Sequence, residues 1–148
     1  MKMTDNTVIP STLEECTYHN IDRFNFKDKK IRAKCVKVYD GDTITVVFKL
    51  VDAFYRFSIR MNGYDSPELR SKDEMEKKYA KLSRDYLKNL IIDKIITLDC
   101  KDYDKYGRIL ADVIIDDVSI NELMLKSGYC RKYDGGIKLP WDFSQLEH

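Results

Sequence analysis

Net charge is the first thing this sequence lacks: 26 Lys and Arg against 25 Asp and Glu leave a formal +1. That excludes a global attraction to polyanions. Any binding to them must rest on cations concentrated locally, or on acids masked by a bound cation. No stretch approaches the ~18 apolar residues of a membrane span, and Met1-Lys2-Met3-Thr4-Asp5 opens no apolar signal region. No membrane partner and an intracellular, cytoplasmic location are therefore expected. The cysteines Cys16, Cys35, Cys100 and Cys130 are widely spaced and form no C-x-x-C pair, so no zinc site or redox motif is indicated. Cys35, Cys100 and Cys130 lie in apolar stretches, where cysteine acts as a small hydrophobe, and reduced thiols are expected. His19 and His148 have no marked catalytic partner. Ser66, Ser71 and Ser127 lack a G-x-S-x-G setting, which leaves serine hydrolysis without support. Internal repeats and low-complexity tracts are also missing.

What is present is enough for one domain with a core: 148 residues, 43% hydrophobic and 11% aromatic. Ile44, Val46, Phe48 and Leu50 alternate with polar and smaller residues, and so do Tyr55, Phe57, Ile59 and Met61. This is the period of two half-buried strands, and Val51-Asp52-Ala53 is short enough to join them as a hairpin. An earlier strand over 32–38 has broken alternation, and two more are expected over 94–101 and 109–115, separated by a charged turn at 102–107. Met75, Tyr79, Leu82, Tyr86 and Leu90 recur at helical spacing within 71–92. Ser119 and Glu122 form a capping box for a short helix over 120–126, closed by Gly128. The pattern predicts an α+β, mainly β fold: a five-stranded Greek-key barrel of OB type with two or three packed helices. Residues 1–28 read as an extension draped on a single domain over 29–145, with one short strand possible. Leu146-Glu147-His148 reads as the remnant of an expression tag.

Three clusters of charge carry the chemistry: Tyr39-Asp40-Gly41-Asp42-Thr43; Arg60 with Asp65-Ser66-Pro67-Glu68; and Asp104-Lys105-Tyr106-Gly107-Arg108. Hairpin pairing brings Asp42, just before one strand, to the same edge as Asp65, just after its partner. Paired carboxylates there can hold a hard cation. Guanidinium groups at Arg60 and Arg108 can grip phosphate oxygens bidentately. Glu68 can orient or deprotonate water. Each piece also has a plainer reading. Asp-Gly is a common turn dipeptide, Arg60 could be a solvated surface arginine, and Glu68 after Pro67 could sit in a first helical turn. Tyr106 could equally be a buried tyrosine, and Lys105, Arg131 and Lys132 could supply a local basic rim or be ordinary surface charge.

In order and spacing these clusters resemble the staphylococcal (thermonuclease) family of nucleases, over about residues 30–133. The resemblance implies a Ca2+ cofactor held by Asp42, Asp65 and the backbone carbonyl of Ser66, with Asp40 supporting the metal's water shell. It also implies catalytic roles for Arg60, Glu68 and Arg108, and nucleic-acid contacts from Lys105, Tyr106 and Tyr133. The implied activity is calcium-dependent hydrolysis of DNA and RNA, preferably single-stranded or frayed, to 3′-phosphate ends; the oligomeric state is left open, with a monomer favoured. A catalytically weak nucleic-acid-binding module is the alternative. Ser66 stands where the staphylococcal enzyme has Thr. Tyr133 is offset from the family's base-stacking tyrosines, and the long C-terminal helix is missing. The ending, with Asp134-Gly135-Gly136 after Tyr133, is similar to shorter viral and eukaryotic members. On this reading, loss of either arginine costs turnover and changes stability much less.

Overall fold

A computed structural model describes residues 9–143, so the expected tag remnant at 146–148 lies outside the described residues. The strands are β1 (Lys30–Val38), β2 (Thr43–Leu50), β3 (Ala53–Met61), β4 (Tyr64–Asp65), β5 (Ile95–Tyr103), β6 (Ile109–Ile115), β7 (Val118–Ser119) and β8 (Arg131–Lys132). The helices are α1 (Glu74–Ile91) and α2 (Ile120–Lys126). β3, β2, β1, β5 and β6 lie side by side, and a parallel pairing of β3 with β6 closes them into a barrel. This is the expected α+β, mainly β Greek-key barrel of OB type. Its interior is filled by the alternating residues of these strands, including Ile44, Val46, Ile59, Leu98 and Val113, each fully buried.

The broken alternation of β1 has a local cause. Its first half pairs with β5 and its second half with β2, and the register slips between Cys35 and Lys37. A bulge there bends the strand between two partners and turns Val36 outward. The β2–β3 connection is a two-residue turn, Val51-Asp52, because Leu50 already pairs with Ala53. Asp116 and Asp117, both at positive φ, make the turn into β7, a conformation that Asp tolerates better than most residues.

α2 starts as expected, with Ser119 Oγ accepting from the Glu122 N–H. α1 starts later than expected. Asp73 is its N-cap and accepts from the Met75 and Glu76 N–H groups, so Ser66 to Lys72 form a loop and Glu68 stands outside the helix. Its deepest face is Ala80, Ser83, Leu87 and Ile91, while Met75 is exposed. The expected apolar stripe, rotated by part of a turn, is only the flank of that face. A small residue at position 83 has a reason: a Cβ on Gly41 would lie 2.8 Å from Ser66 Cβ and 2.9 Å from Ser83 Cβ, and would overlap the Ser83 hydroxyl. The loop that carries Asp40 and Asp42 thus rests directly on α1.

No strand forms in residues 9–29; a 3-10 turn at Leu13–Glu15 stands there instead, tied by Glu15 to the Ser11 N–H. Phe26 anchors this segment. It is buried edge-on against Phe48 and Phe57, which stack on each other at 3.9 Å. Such aromatic contacts are worth about 0.5–1.5 kcal/mol each beyond burial. Among the described residues no helix is long and apolar enough to cross a membrane. The four cysteines are free thiols, and burial pushes Cys35 and Cys100 up to about 11 and Cys130 up to about 12.

Candidate functional site

The β2–β3 register sets Thr43 opposite Arg60, and this places the three charged clusters around one point. Asp42 ends the loop before β2, Arg60 lies near the end of β3, and Asp65 ends β4. Arg60 is not the solvated arginine that the strand pattern allowed: it is 6% exposed. Its Nη1 lies 3.2 Å from Asp42 Oδ2 and its Nη2 lies 3.6 Å from Asp65 Oδ1. Nη1 also donates to the Tyr64 carbonyl at 3.0 Å and to the Met61 carbonyl at 3.3 Å. One guanidinium therefore joins two buried carboxylates to the backbone that carries them.

The loop around Asp42 is pinned on every side. Asp42 Oδ2 accepts from the Ser66 N–H at 3.0 Å, Oδ1 accepts from the Thr43 hydroxyl at 3.0 Å, and the Tyr64 hydroxyl donates to the Gly41 carbonyl at 2.7 Å. Arg108 arrives from the start of β6. Asp104 holds it, with Oδ1 accepting from the N–H groups of Tyr106 and Arg108 and Oδ2 accepting from Arg108 Nε at 2.7 Å. Gly107, at φ 84°, allows that tight turn. Arg108 Nη1 then reaches the Thr43 hydroxyl at 3.2 Å, so both arginines meet at the Asp42-Thr43 pair.

Arg60, Arg108, Lys105, Tyr106 and Tyr133 line one cavity of about 790 Å3. The Tyr106 ring lies 5.6 Å from the Arg108 guanidinium and 5.4 Å from Lys105 Nζ, and remains largely exposed. Glu68 stands at the rim on the other side of Asp65, next to a smaller cavity shared with Asp73, Glu76, Arg131, Lys138 and Trp141. Its environment pushes its carboxyl up: burial acts first, Lys138 opposes, and Asp42, Asp65 and Glu76 add to the rise.

The site also draws in Arg131, which the sequence pattern leaves as rim or surface charge, and Lys138 and Tyr64, which no sequence pattern marks. Arg131 binds Asp65 Oδ2 through Nη2 at 3.1 Å, and Lys138 Nζ lies 3.2 Å from Asp65 Oδ1 and 3.8 Å from Glu68 Oε1. Burial would lower the Lys138 ammonium, but Asp65 and Glu68 outweigh it and keep it charged. Tyr64 and Asp104 act by positioning. Only Asp104 had a signal, an acid four residues before Arg108; the others depend on tertiary approach.

Among the described residues no three His, Cys, Asp or Glu side chains close into a metal-ligating group. The donors present still suit a hard cation that keeps much of its water. They are oxygens only: Asp42, Asp65 and the adjacent Ser66 carbonyl. Asp65 Oδ1 is buried and makes no hydrogen bond, although two cations stand near it.

Asp40 and Asp42 share this crowding unequally. Burial would raise both; Arg60 and the Ser66 N–H hold Asp42 below its ordinary value, while burial and the Asp42 charge push Asp40 up to about 7. A raised carboxyl favours folding only while protonated, so its contribution is present near pH 4 and is lost as pH rises through about 7. Asp40→Asn keeps an acceptor for the Asp42 N–H and carries no charge. Urea unfolding in chelator should show the variant more stable than the parent at pH 8, by on the order of 2–4 kcal/mol. The gain should disappear near pH 4. An equal gain at both pH values would remove charge as the cause.

Comparison with known proteins identifies the family. The family described as staphylococcal nuclease homologue matches residues 58–140, a window that holds Arg60, Asp65, Glu68 and Arg108. Asp40 and Asp42 precede the window, and the β2–β3 hairpin brings them in. An uncharacterized endonuclease of Escherichia coli is 32% identical over 105 residues, covering 70% of this chain and 62% of that protein. A thermonuclease of Staphylococcus hyicus is 33% identical over 101 residues, 66% of this chain and 57% of that protein. A probable staphylococcal-like nuclease of Oryza sativa subsp. japonica is 34% identical over 92 residues, 62% of this chain and 23% of that protein. The chain thus spans less than two thirds of the length of each of these relatives. Matched over more than half of its residues, and with a barrel that sets two arginines beside buried acids, the chain belongs to the staphylococcal nuclease homologue family.

Proposed function

We propose that this chain is a phosphodiesterase that cleaves DNA and RNA with low sequence specificity and uses calcium. The observation that carries the reading is the convergence of Arg60 and Arg108 on the Asp42-Thr43 pair at the wall of one cavity. Two guanidinium groups held by neighbouring acids are preorganised donors, and they gain most when a phosphodiester takes on the extra charge of a five-coordinate phosphorane. Calcium, held by Asp42, Asp65 and the Ser66 carbonyl with Asp40 in support, would supply further positive charge for that dianion. Glu68 accepts a proton from the attacking water or orients it. Water oxygen adds to phosphorus, the bond from phosphorus to the 5′ oxygen breaks, and that oxygen leaves with a proton, so the products are a 3′-phosphate and a 5′-hydroxyl. Tyr106 and Tyr133 offer faces on which unpaired bases stack, with Lys105 beside them. This supports single-stranded or frayed substrates and supplies locally the basic character that the net charge lacks.

The test is degradation of single-stranded DNA by the purified protein with calcium, with magnesium and with chelator, beside Asp42→Ala. Calcium-dependent cleavage that disappears in the variant is expected. Tight binding without cleavage in every metal would overturn the reading in favour of a binding module.

A further inference from the structure

After β8 the chain does not leave the domain. Tyr133 is tied to the barrel, its N–H donating to the Gly63 carbonyl at 3.1 Å, and residues 134–143 then fold back as a strap across the acidic side of the site. Lys138 is its central contact, lying between Asp65 and Glu68 and bordering both cavities. At its end Trp141 stacks on the Arg131 guanidinium at 3.9 Å, and Phe143 stacks between Trp141 and Tyr79 of α1. The strap buries little apolar surface of its own, since Ile137 is 90% exposed and Leu139 is 69% exposed. It is held by charge and by stacked rings, not by a core, so its release exposes little aliphatic surface.

We propose that Lys138 is a built-in competitor for the cation site: its ammonium neutralises Asp65 and Glu68 while the strap is docked, and a divalent cation binds by displacing it. The proposal rests on the calcium-dependent reading above and adds its regulation. Lys138 separates the cavity lined by Tyr106 and Tyr133 from the one beside Glu68, so the docked strap also blocks a polynucleotide from passing across Asp65. Releasing it frees Glu68 for water and opens that path. Cation and nucleic acid both favour the released strap, and by linkage each must tighten the binding of the other.

Trp141 is the sole tryptophan in the sequence, so its fluorescence reports the strap alone. Calcium affinity by calorimetry and Trp141 emission are to be measured on the parent, Lys138→Met, Lys138→Arg and Asp42→Ala. Lys138 is a half-exposed side chain outside the barrel, so its replacement leaves the fold intact. Lys138→Met should bind calcium about fivefold more tightly, the scale of one lost ion-pair competitor, and Lys138→Arg should stay within about twofold of the parent. Calcium should change Trp141 emission in the parent with the same half-saturation as the calorimetric binding. Calcium binding of equal strength in the parent and Lys138→Met, or binding without any change at Trp141, overturns the competition while leaving the metal reading intact. Failure of every protein to bind calcium overturns the metal reading, and the competition falls with it.

Discussion

Arg60→Ala should lose stability and turnover together. The guanidinium is buried between Asp42 and Asp65, so truncation leaves two carboxylates facing each other without their shared cation. Breaking such a buried pair costs about 3–5 kcal/mol, and loss of a preorganised donor costs about 10²–10³ in turnover. Calcium should restore part of the stability, because it returns positive charge to the same carboxylates, but should not restore cleavage. Arg108→Ala is the contrast. Its side chain is 29% exposed and its partner Asp104 can be rehydrated, so stability should change by no more than about 1 kcal/mol while turnover falls as steeply. Urea unfolding with and without calcium, together with single-turnover cleavage, separates the two. If Arg60→Ala unfolds at the parental midpoint, the guanidinium is not what holds the acids together.

Gly41→Ala should be among the most damaging changes of a single methyl group in the chain. The new Cβ would meet Ser66 and Ser83 at less than 3 Å, and neither can retreat: Ser66 is joined through its N–H to Asp42, and Ser83 lies under the loop beside Cys130. Forcing the loop outward should cost about 3 kcal/mol. It should also pull Asp42 away from Arg60 and reduce cleavage more than the stability loss alone explains. Ser83→Ala removes the worst overlap and should recover part of both. Parental unfolding and cleavage in Gly41→Ala would mean that the loop has room the structure does not give it.

The hairpin and its outcome were legible because strand alternation is a local signal. Once β2 and β3 pair, Asp42, Arg60 and Asp65 are carried together by geometry alone. The Ser119 N-cap of α2 was legible for the same reason. The burial of Arg60 was not, because it depends on Tyr64 and Asp65 closing over it, and alternation alone makes it resemble any outward arginine. The corrected expectation that its loss spares stability follows from that. Glu68 is outside the helix because Asp73 offers a better N-cap than the residues beside Pro67, a competition among several acceptable starts that composition does not rank. Ser83 is polar at the centre of a buried helical face, and a search for apolar periodicity passes over it. The strap is the least legible part, since Lys138 and Trp141 lie in a polar, proline-interrupted ending and acquire meaning only from what they fold against.

The parallel pairing of β3 with β6 also orders events in time. Asp40, Asp42, Arg60, Asp65 and Glu68 all precede β5, but the strand that closes the barrel and the residues Arg108, Arg131 and Lys138 come after it. A chain emerging from the ribosome thus carries Asp40, Asp42, Asp65 and Glu68 before it has a wall to hold them. With the interior of β2 and β3 still open to water, it has no preorganised arginine pair. On the proposed activity, the message being translated is not exposed to its own product until β6 has been made. A premature stop before β6 yields an inert fragment, not an unregulated enzyme.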